Sequence, residues 1–399
     1  MTIGDLPTSP APDDERTPPA FWLAWIATLL FFVGFYALLV PLPRYLAEIG
    51  LPDWQIGVIL GAFGVASVIG RPFSGVSVDR VGPRPVLLFG AVSFIVGAAA
   101  VPFVTQPPLL GALRLAQAAG YVAFTTAGTA LVIELTPEAR RGRQMAIFGA
   151  AANAAITISP AASAALLTLI PLAGGFFASA AMALVAAGLA SCVATPDRAG
   201  RSFADQPSLR GAIGVLWPSM ATAGLFGAGF AAFFLFAPIL SERRELPAGL
   251  AYTIYGISII ATRLVSGRWL DTVGTRTILL VAAALTIAGL LASAVAWTPL
   301  WLGVAAFLVA SGGGLFHPAL IVHHARMLPG APGRSTAAFY VGFDLGLGLG
   351  SWLFGVVLDL AGLAPLYLVA AMIVLLTVPM AYAITRPLAV TPAAEPSAT

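Results

Sequence analysis

The sequence predicts an all-α integral membrane protein whose twelve transmembrane helices form two pseudo-symmetric six-helix bundles. Three observations carry that prediction: the composition, the number of apolar runs, and a repeat that sets the same residues at the same point of each half. Of the 399 residues, 59% are hydrophobic and 9% charged, against roughly a quarter charged in a soluble domain. A water-soluble fold is therefore excluded. Each bilayer span needs about 20 apolar residues, which leaves room for twelve helices, short loops and no large soluble domain.

The elements follow in order. Residues 1–20 are Pro-rich, carry Asp13, Asp14 and Glu15, and read as a disordered cytoplasmic tail. The run Phe21 to Val40 is longer than a signal-peptide core and has an acidic leader, so it reads as a retained first helix. Runs near 55–73, 85–104, 109–133, 145–170 and 174–195 complete an N-terminal bundle over 21–195. The polar stretch 196–212, with Asp197, Arg198, Arg201, Asp205 and Arg210, reads as a cytoplasmic linker. Runs near 213–240, 248–266, 277–297, 300–323, 336–360 and 364–385 form a C-terminal bundle over 213–386, and 387–399 reads as a second disordered tail.

Every basic side chain other than His is Arg, and basic residues of short loops favour the cytoplasmic side. With both termini inside, sixteen Arg fall on the cytoplasmic side (Arg16, Arg71, Arg80, Arg84, Arg140, Arg141, Arg143, Arg198, Arg201, Arg210, Arg263, Arg268, Arg276, Arg326, Arg334 and Arg386). Three, Arg44, Arg243 and Arg244, fall outside, and Arg114 is left within a span. The modest net charge of +3 needs no nucleic acid to explain it.

The segment Arg71-Pro-Phe-Ser-Gly-Val-Ser-Val-Asp79-Arg-Val-Gly82-Pro-Arg84 matches Arg263-Leu-Val-Ser-Gly-Arg-Trp-Leu-Asp271-Thr-Val-Gly274-Thr-Arg276 at seven positions, with an offset of 192 residues. Both copies end the second helix of a half, so the halves read as a parallel repeat. The first copy resembles the loop motif of the major facilitator superfamily through Gly75, Asp79, Arg80, Gly82 and Arg84. The second copy keeps Gly267, Asp271, Gly274 and Arg276. Pro83 and Thr272 stand where the family pattern has Arg. The resemblance implies the major facilitator fold, alternating access by rocking of the halves, and a cytoplasmic gate at these motifs. As chemistry, a boundary carboxylate such as Asp79 can accept hydrogen bonds from a helix N-terminus and from Arg. A tight turn that anchors the chain is the alternative.

Ionisable groups at bilayer depth are costly and mark candidate sites. Arg114, Gln117, Gly120 and Ala123 resemble a second motif of the same superfamily, where the Arg is associated with proton coupling or substrate binding. An Arg that caps carbonyls is the structural alternative. Asp344, about eight residues into the eleventh run, is the acidic residue deepest in any span. Burial disfavours its charged form, which makes it the candidate protonation site. A hydrogen-bonded Asp tying two helices together is the other reading. An offset of 191 residues, from Gly142-Arg143 to Gly333-Arg334, makes Asn153 its counterpart and expects the two to face each other. In the fifth run Ser159-Pro160 stands where antiporters of the superfamily carry a Gly-Pro pair, and Gly346, Gly348 and Gly350 suggest close helix packing. His317, Tyr36, Tyr121, Tyr255, Tyr252 and Tyr340 are candidate cavity residues. His323 and His324 bring no carboxylate or Cys at ligand spacing, and Cys192 is single, so neither metal nor cofactor is expected.

No nucleophile elbow, phosphate loop or metal-protease motif is present, so no catalytic residue and no enzyme activity is expected. A receptor would need a sensory domain that the short loops cannot hold. The remaining expectation is a secondary active transporter of the bacterial inner membrane, multi-pass, both termini cytoplasmic, acting as a monomer with a small-molecule substrate, protons and the lipid bilayer as partners. Mostly apolar cavity helices favour a proton-coupled exporter (antiporter) of a drug-like or hydrophobic metabolite. The alternative is a proton symporter or facilitator importing a sugar or organic acid.

Overall fold

A computed structural model describes residues 17–194, 208–247 and 249–385. The first half runs α1 (Pro19–Ala37), α2 (Pro41–Glu48), α3 (Asp53–Val81), α4 (Pro83–Ala99), α5 (Pro107–Leu135), α6 (Arg141–Leu166) and α7 (Leu172–Ser191). The second runs α8 (Leu209–Arg243), α9 (Leu250–Thr272), α10 (Thr275–Ala294), α11 (Pro299–Met327), α12 (Pro332–Ala361), α13 (Leu363–Leu375) and α14 (Thr377–Ile384). Eleven helical stretches among the described residues are long and apolar enough to cross a bilayer, with α1–α2 and α13–α14 each counting as one. Helix α3, 29 residues long, completes the set of twelve. The N-tail up to Arg16, most of the expected linker and the tail 387–399 lie outside the described residues.

Local chemistry sets the boundaries. Pro19, Pro41, Pro83, Pro107, Pro299 and Pro332 occupy first turns, where no N–H is needed. Gly82, at φ +93°, reverses the chain between α3 and α4 in a conformation that a Cβ would strain. The repeat seen in the sequence is a repeat in space. Helices α5 and α11 have bounds 192 residues apart. Phe124 of α5 stacks on Phe31 at 3.9 Å, and its counterpart Phe316 of α11 stacks on Phe226 at 3.7 Å. Helices α4 and α7 flank the first half on the outside, as α10 and α13 flank the second. Between the halves, α3 crosses α12 and α6 runs along α9.

Close packing within the second half uses glycine. Gly342, Gly346 and Gly350 of α12 lie against Met220, Gly224 and Ala228 of α8, while Gly348 meets nothing within 4 Å and turns to the centre. A side chain at Gly346 would collide with the Gly224 carbonyl. Gly346→Val is expected to destabilise by about 1–3 kcal/mol through overpacking, read as a lower melting temperature in detergent. Gly188→Val in α7, where a Cβ meets nothing within 4 Å, is the control expected to change little.

The placement of two arginines corrects the sequence reading. Arg71 and Arg263, counted among the cytoplasmic residues, are 1% and 5% exposed and lie inside the spans. The apolar runs 55–73 and 248–266 stop short of the helices, which continue to Val81 and Thr272. Most of the expected loop motif is thus helical: Gly75, Asp79 and Arg80 close α3, Gly267 and Asp271 close α9, and Arg84 and Arg276 open α4 and α10. Thr17, Arg143, Asp271, Arg276 and Thr385 gather at one end of the bundle, the termini face.

Candidate functional site

Helices α1, α3, α5 and α6 face α8, α9, α11 and α12 around a cavity of about 900 Å³. Its walls are largely apolar and rich in aromatic rings, with Phe32, Phe63, Phe124 and Phe148 from one half and Phe226, Phe230, Phe316 and Phe343 from the other. Against that background the polar groups are few. Ser67 and Arg71, one turn apart on α3, share a face. Arg71 Nε donates to Asp344 Oδ2 of α12 at 2.9 Å, and Ser67 Oγ donates to the same oxygen at 3.1 Å. Arg71 Nη1 donates to Thr125 Oγ1 at 2.9 Å, and its guanidinium lies 4.1 Å from the centre of the Tyr340 ring. A buried charge is tolerated only when paired and hydrogen-bonded, and Arg71 is both. The pair joins the two halves about twelve residues, or roughly 18 Å, from the termini-face end of α12.

Seven residues singled out from the sequence meet in this cavity: Asp344, Tyr36, Tyr121, Tyr255, Tyr340, Asn153 and His317, whereas Tyr252 does not line it and donates its hydroxyl to the Phe234 carbonyl at 2.6 Å. The partner of Asp344 is Arg71 rather than Asn153, whose Nδ2 donates to the Gly149 carbonyl of its own helix at 2.9 Å. His317 stands edge-on to Phe339 with ring centres 4.5 Å apart. Arg114 and Gln117 are not cavity residues. Arg114 Nη1 donates to Gln117 Oε1 at 2.9 Å, Gln117 Nε2 donates to Gly97 O at 2.8 Å, and the arginine lies over Phe63 at 5.0 Å. They tie α5 to α4. Sequence reasoning missed Arg71 and Arg263 as cavity residues, although the repeat held the signal. Each lies eight residues, roughly 12 Å of helix, before the boundary Asp of its copy.

At the termini face two clasps join the halves. The Asp79 carboxylate accepts from the backbone N–H of Gly333 at 2.8 Å and of Arg334 at 3.1 Å, with the Arg334 guanidinium at 3.6 Å. The approach requires glycine on both sides, because a Cβ at Gly75 would stand 2.8 Å from the Gly333 carbonyl. The counterpart, Asp271, accepts from the N–H of Arg143 at 3.1 Å in a more exposed setting, and Gly267 packs against the Arg143 side chain. The Thr272 substitution therefore leaves the second clasp formed. Other motif residues act within their own half. Arg84 donates to the Ser191 carbonyl at the end of α7, and Arg276 donates to Thr385 Oγ1 at 2.9 Å just beyond α14. Gly274, at φ −60°, caps α10 without needing glycine's freedom, unlike Gly82.

Comparison with known proteins agrees with this architecture. The family model described as Major Facilitator Superfamily matches residues 24–248 and 244–399. Over 346 residues the chain is 24% identical to the uncharacterized MFS-type transporter YhhS of Escherichia coli (strain K12), covering 84% of each. Among solved structures, the human organic anion transporter MFSD10 aligns with a TM-score of 0.77 at 18% identity, over 91% of this chain and 100% of that one. The transporter FucP in its outward conformation aligns with a TM-score of 0.76 at 18% identity, over 93% of this chain and 100% of that one.

Proposed function

The chain belongs to the Major Facilitator Superfamily and is a multi-pass membrane transporter, not an enzyme, and on that premise we propose that it carries a small amphiphilic molecule by alternating access, coupled to a proton held on Asp344. The observation that carries this reading is the Arg71–Asp344 ion pair, which bridges the two halves within the cavity at 2.9 Å. While Asp344 is ionised, the charge-assisted bond holds α3 against α12. A proton on Asp344 removes the carboxylate charge, weakens that bond and frees Arg71 within an apolar enclosure. Proton uptake thereby biases the packing of one half on the other, which is what a rocking transporter needs to link proton and substrate.

The orientation follows from charge. With Arg71 and Arg263 removed from the tally, the sequence still assigns fourteen arginines to the cytoplasmic loops and ends against three outside, which supports a cytoplasmic termini face in a bacterial inner membrane. Asp79 and Asp271 are then cytoplasmic gates, both shut here, and the protein works as a monomer. The aromatic walls favour a substrate with a large apolar surface, which also suits the second reading, export of a hydrophobic compound in exchange for protons.

The test uses inside-out vesicles holding a pH difference reported by a dye, challenged with lipophilic cations, neutral aromatic amides, aromatic carboxylates and sugars. A compound class that alters the pH difference only in vesicles containing the protein is the expected result. No response from any class sinks proton coupling.

A further inference from the structure

The two halves of the cavity are related by the repeat, yet they treat their buried arginines differently. Arg71 is enclosed by Asp344, Thr125 and the rings of Tyr340 and Tyr121, the latter at 5.8 Å. The same offsets give the counterparts around Arg263. Asp344 corresponds to Asn153, Tyr340 to Gly149, Tyr121 to Gly313 and Thr125 to His317. The carboxylate has become an amide and both rings have become glycines. Arg263 consequently lies directly against Gly149, where a Cβ would stand 2.7 Å from its Cζ, while Gly313 has only Tyr255 Oη at 3.7 Å and Ile259 at 3.9 Å nearby. Asn153, one turn further along α6, spends its amide N–H on the Gly149 carbonyl.

Arg263 is 5% exposed, lines the cavity, and has no carboxylate within 4.0 Å among the described residues. Its Nε is buried without a hydrogen-bond partner. An uncompensated buried guanidinium is costly, and its planar fork matches a carboxylate. We propose that Arg263 is the docking point for the carboxylate of an amphiphilic organic anion whose apolar body lies among Phe226, Phe230 and Phe316.

This assignment rests on the transport reading above and gives it a direction. With Asp344 ionised, the cavity's Arg and Asp side chains sum to one positive charge, and with Asp344 protonated to two. A proton therefore strengthens anion binding, and by linkage the anion strengthens proton binding. Ligands that reinforce each other travel together, so the anion and the proton move in the same direction, as symport.

The experiment compares phenylbutyrate with phenylbutyramide, which share a shape and differ in charge, binding to the full-length protein in nanodiscs. Wild type is expected to bind the carboxylate roughly tenfold or more tightly than the amide, the scale of a charged hydrogen-bond pair. Arg263→Gln removes the preference. Asn153→Asp, which restores the carboxylate of the other half while keeping Arg263, removes it too. The proposal is overturned when wild type shows no preference for the carboxylate, including binding neither probe at millimolar concentration, or when the preference survives both substitutions. A proton readout in proteoliposomes separates the two readings. Carboxylate preference without proton movement supports the Arg263 assignment and defeats coupling at Asp344. Proton movement driven by the amide as well as by the carboxylate defeats the assignment and leaves coupling standing.

Discussion

Asp344→Asn abolishes accumulation against a gradient while leaving exchange of substrate across the membrane intact. The reason lies in what the amide keeps and what it loses. Asparagine fills the same volume and still offers an oxygen to Arg71 Nε and Ser67 Oγ, which reach Asp344 Oδ2 at 2.9 and 3.1 Å. It therefore copies the protonated carboxyl and can neither release nor take up a proton. Rocking continues, because the aromatic cavity and both clasps are untouched, but no proton step is linked to it. The cost to the fold is bounded by the neighbours that remain. Breaking one partner of a buried pair costs about 3–5 kcal/mol, yet Arg71 retains Thr125 at 2.9 Å and the Tyr340 ring at 4.1 Å, and the Asp344 side chain is 24% exposed to the cavity. Destabilisation toward the lower end of that range is expected. Uptake of a labelled substrate driven by an imposed pH difference, set beside counterflow of the same substrate without one, separates the outcomes. Loss of both activities, with the protein still monodisperse, would assign Asp344 a structural role.

Asp79→Ala opens the termini face. The wild-type carboxylate holds two backbone N–H groups of α12 and lies 3.6 Å from the Arg334 guanidinium, all of it buried. Hydrogen bonds to charged groups are worth about 1.5–3 kcal/mol each, so losing two of them shifts the balance of states by roughly a hundredfold or more. Asp271→Ala removes a bond of 3.1 Å in a more exposed place and is expected to shift it by roughly fivefold. Spin labels at Glu138→Cys and Arg326→Cys, in a Cys192→Ser background, report the separation directly. The native side chains at these sites form an exposed cross-half ion pair at 3.1 Å. Asp79→Ala should add a population at longer distance, and Asp271→Ala a smaller one. An unchanged distance distribution in Asp79→Ala would remove the clasp from the account.

Much of this was legible in the sequence, and the reasons differ from element to element. The twelve spans and the duplicated halves could be read because hydrophobic runs and the Arg71–Arg84 repeat are local signals. The place of Asp344 in the cavity could be read because an ionisable group at bilayer depth is costly and marks a candidate site. The depth of Arg71 and Arg263 was lost because hydrophobicity falls away before a helix ends. The last turns of α3 and α9 carry Asp79, Arg80 and Asp271 at the boundary and mimic a loop. Arg114 reads as the one cation within a span and Arg71 as a cytoplasmic one, and packing sets them differently: Gln117 and Phe63 take up Arg114, while Asp344 takes up Arg71 in the cavity. Pairing across α3 and α12 involves residues 273 positions apart, and no local pattern encodes it. The asymmetry around Arg263 was present in the sequence as Asn153, Gly149 and Gly313. It became visible once Arg71's own neighbours were known.

The most direct test of the central claim, that a proton rides on Asp344, is the internal pH of proteoliposomes recorded with a trapped dye as a transported compound is added outside. Wild-type vesicles are predicted to show a pH change that starts with substrate addition and scales with substrate flux, and Asp344→Asn vesicles to pass substrate with a flat pH trace. Proton movement of equal size in both would contradict the account and place the proton elsewhere in the protein.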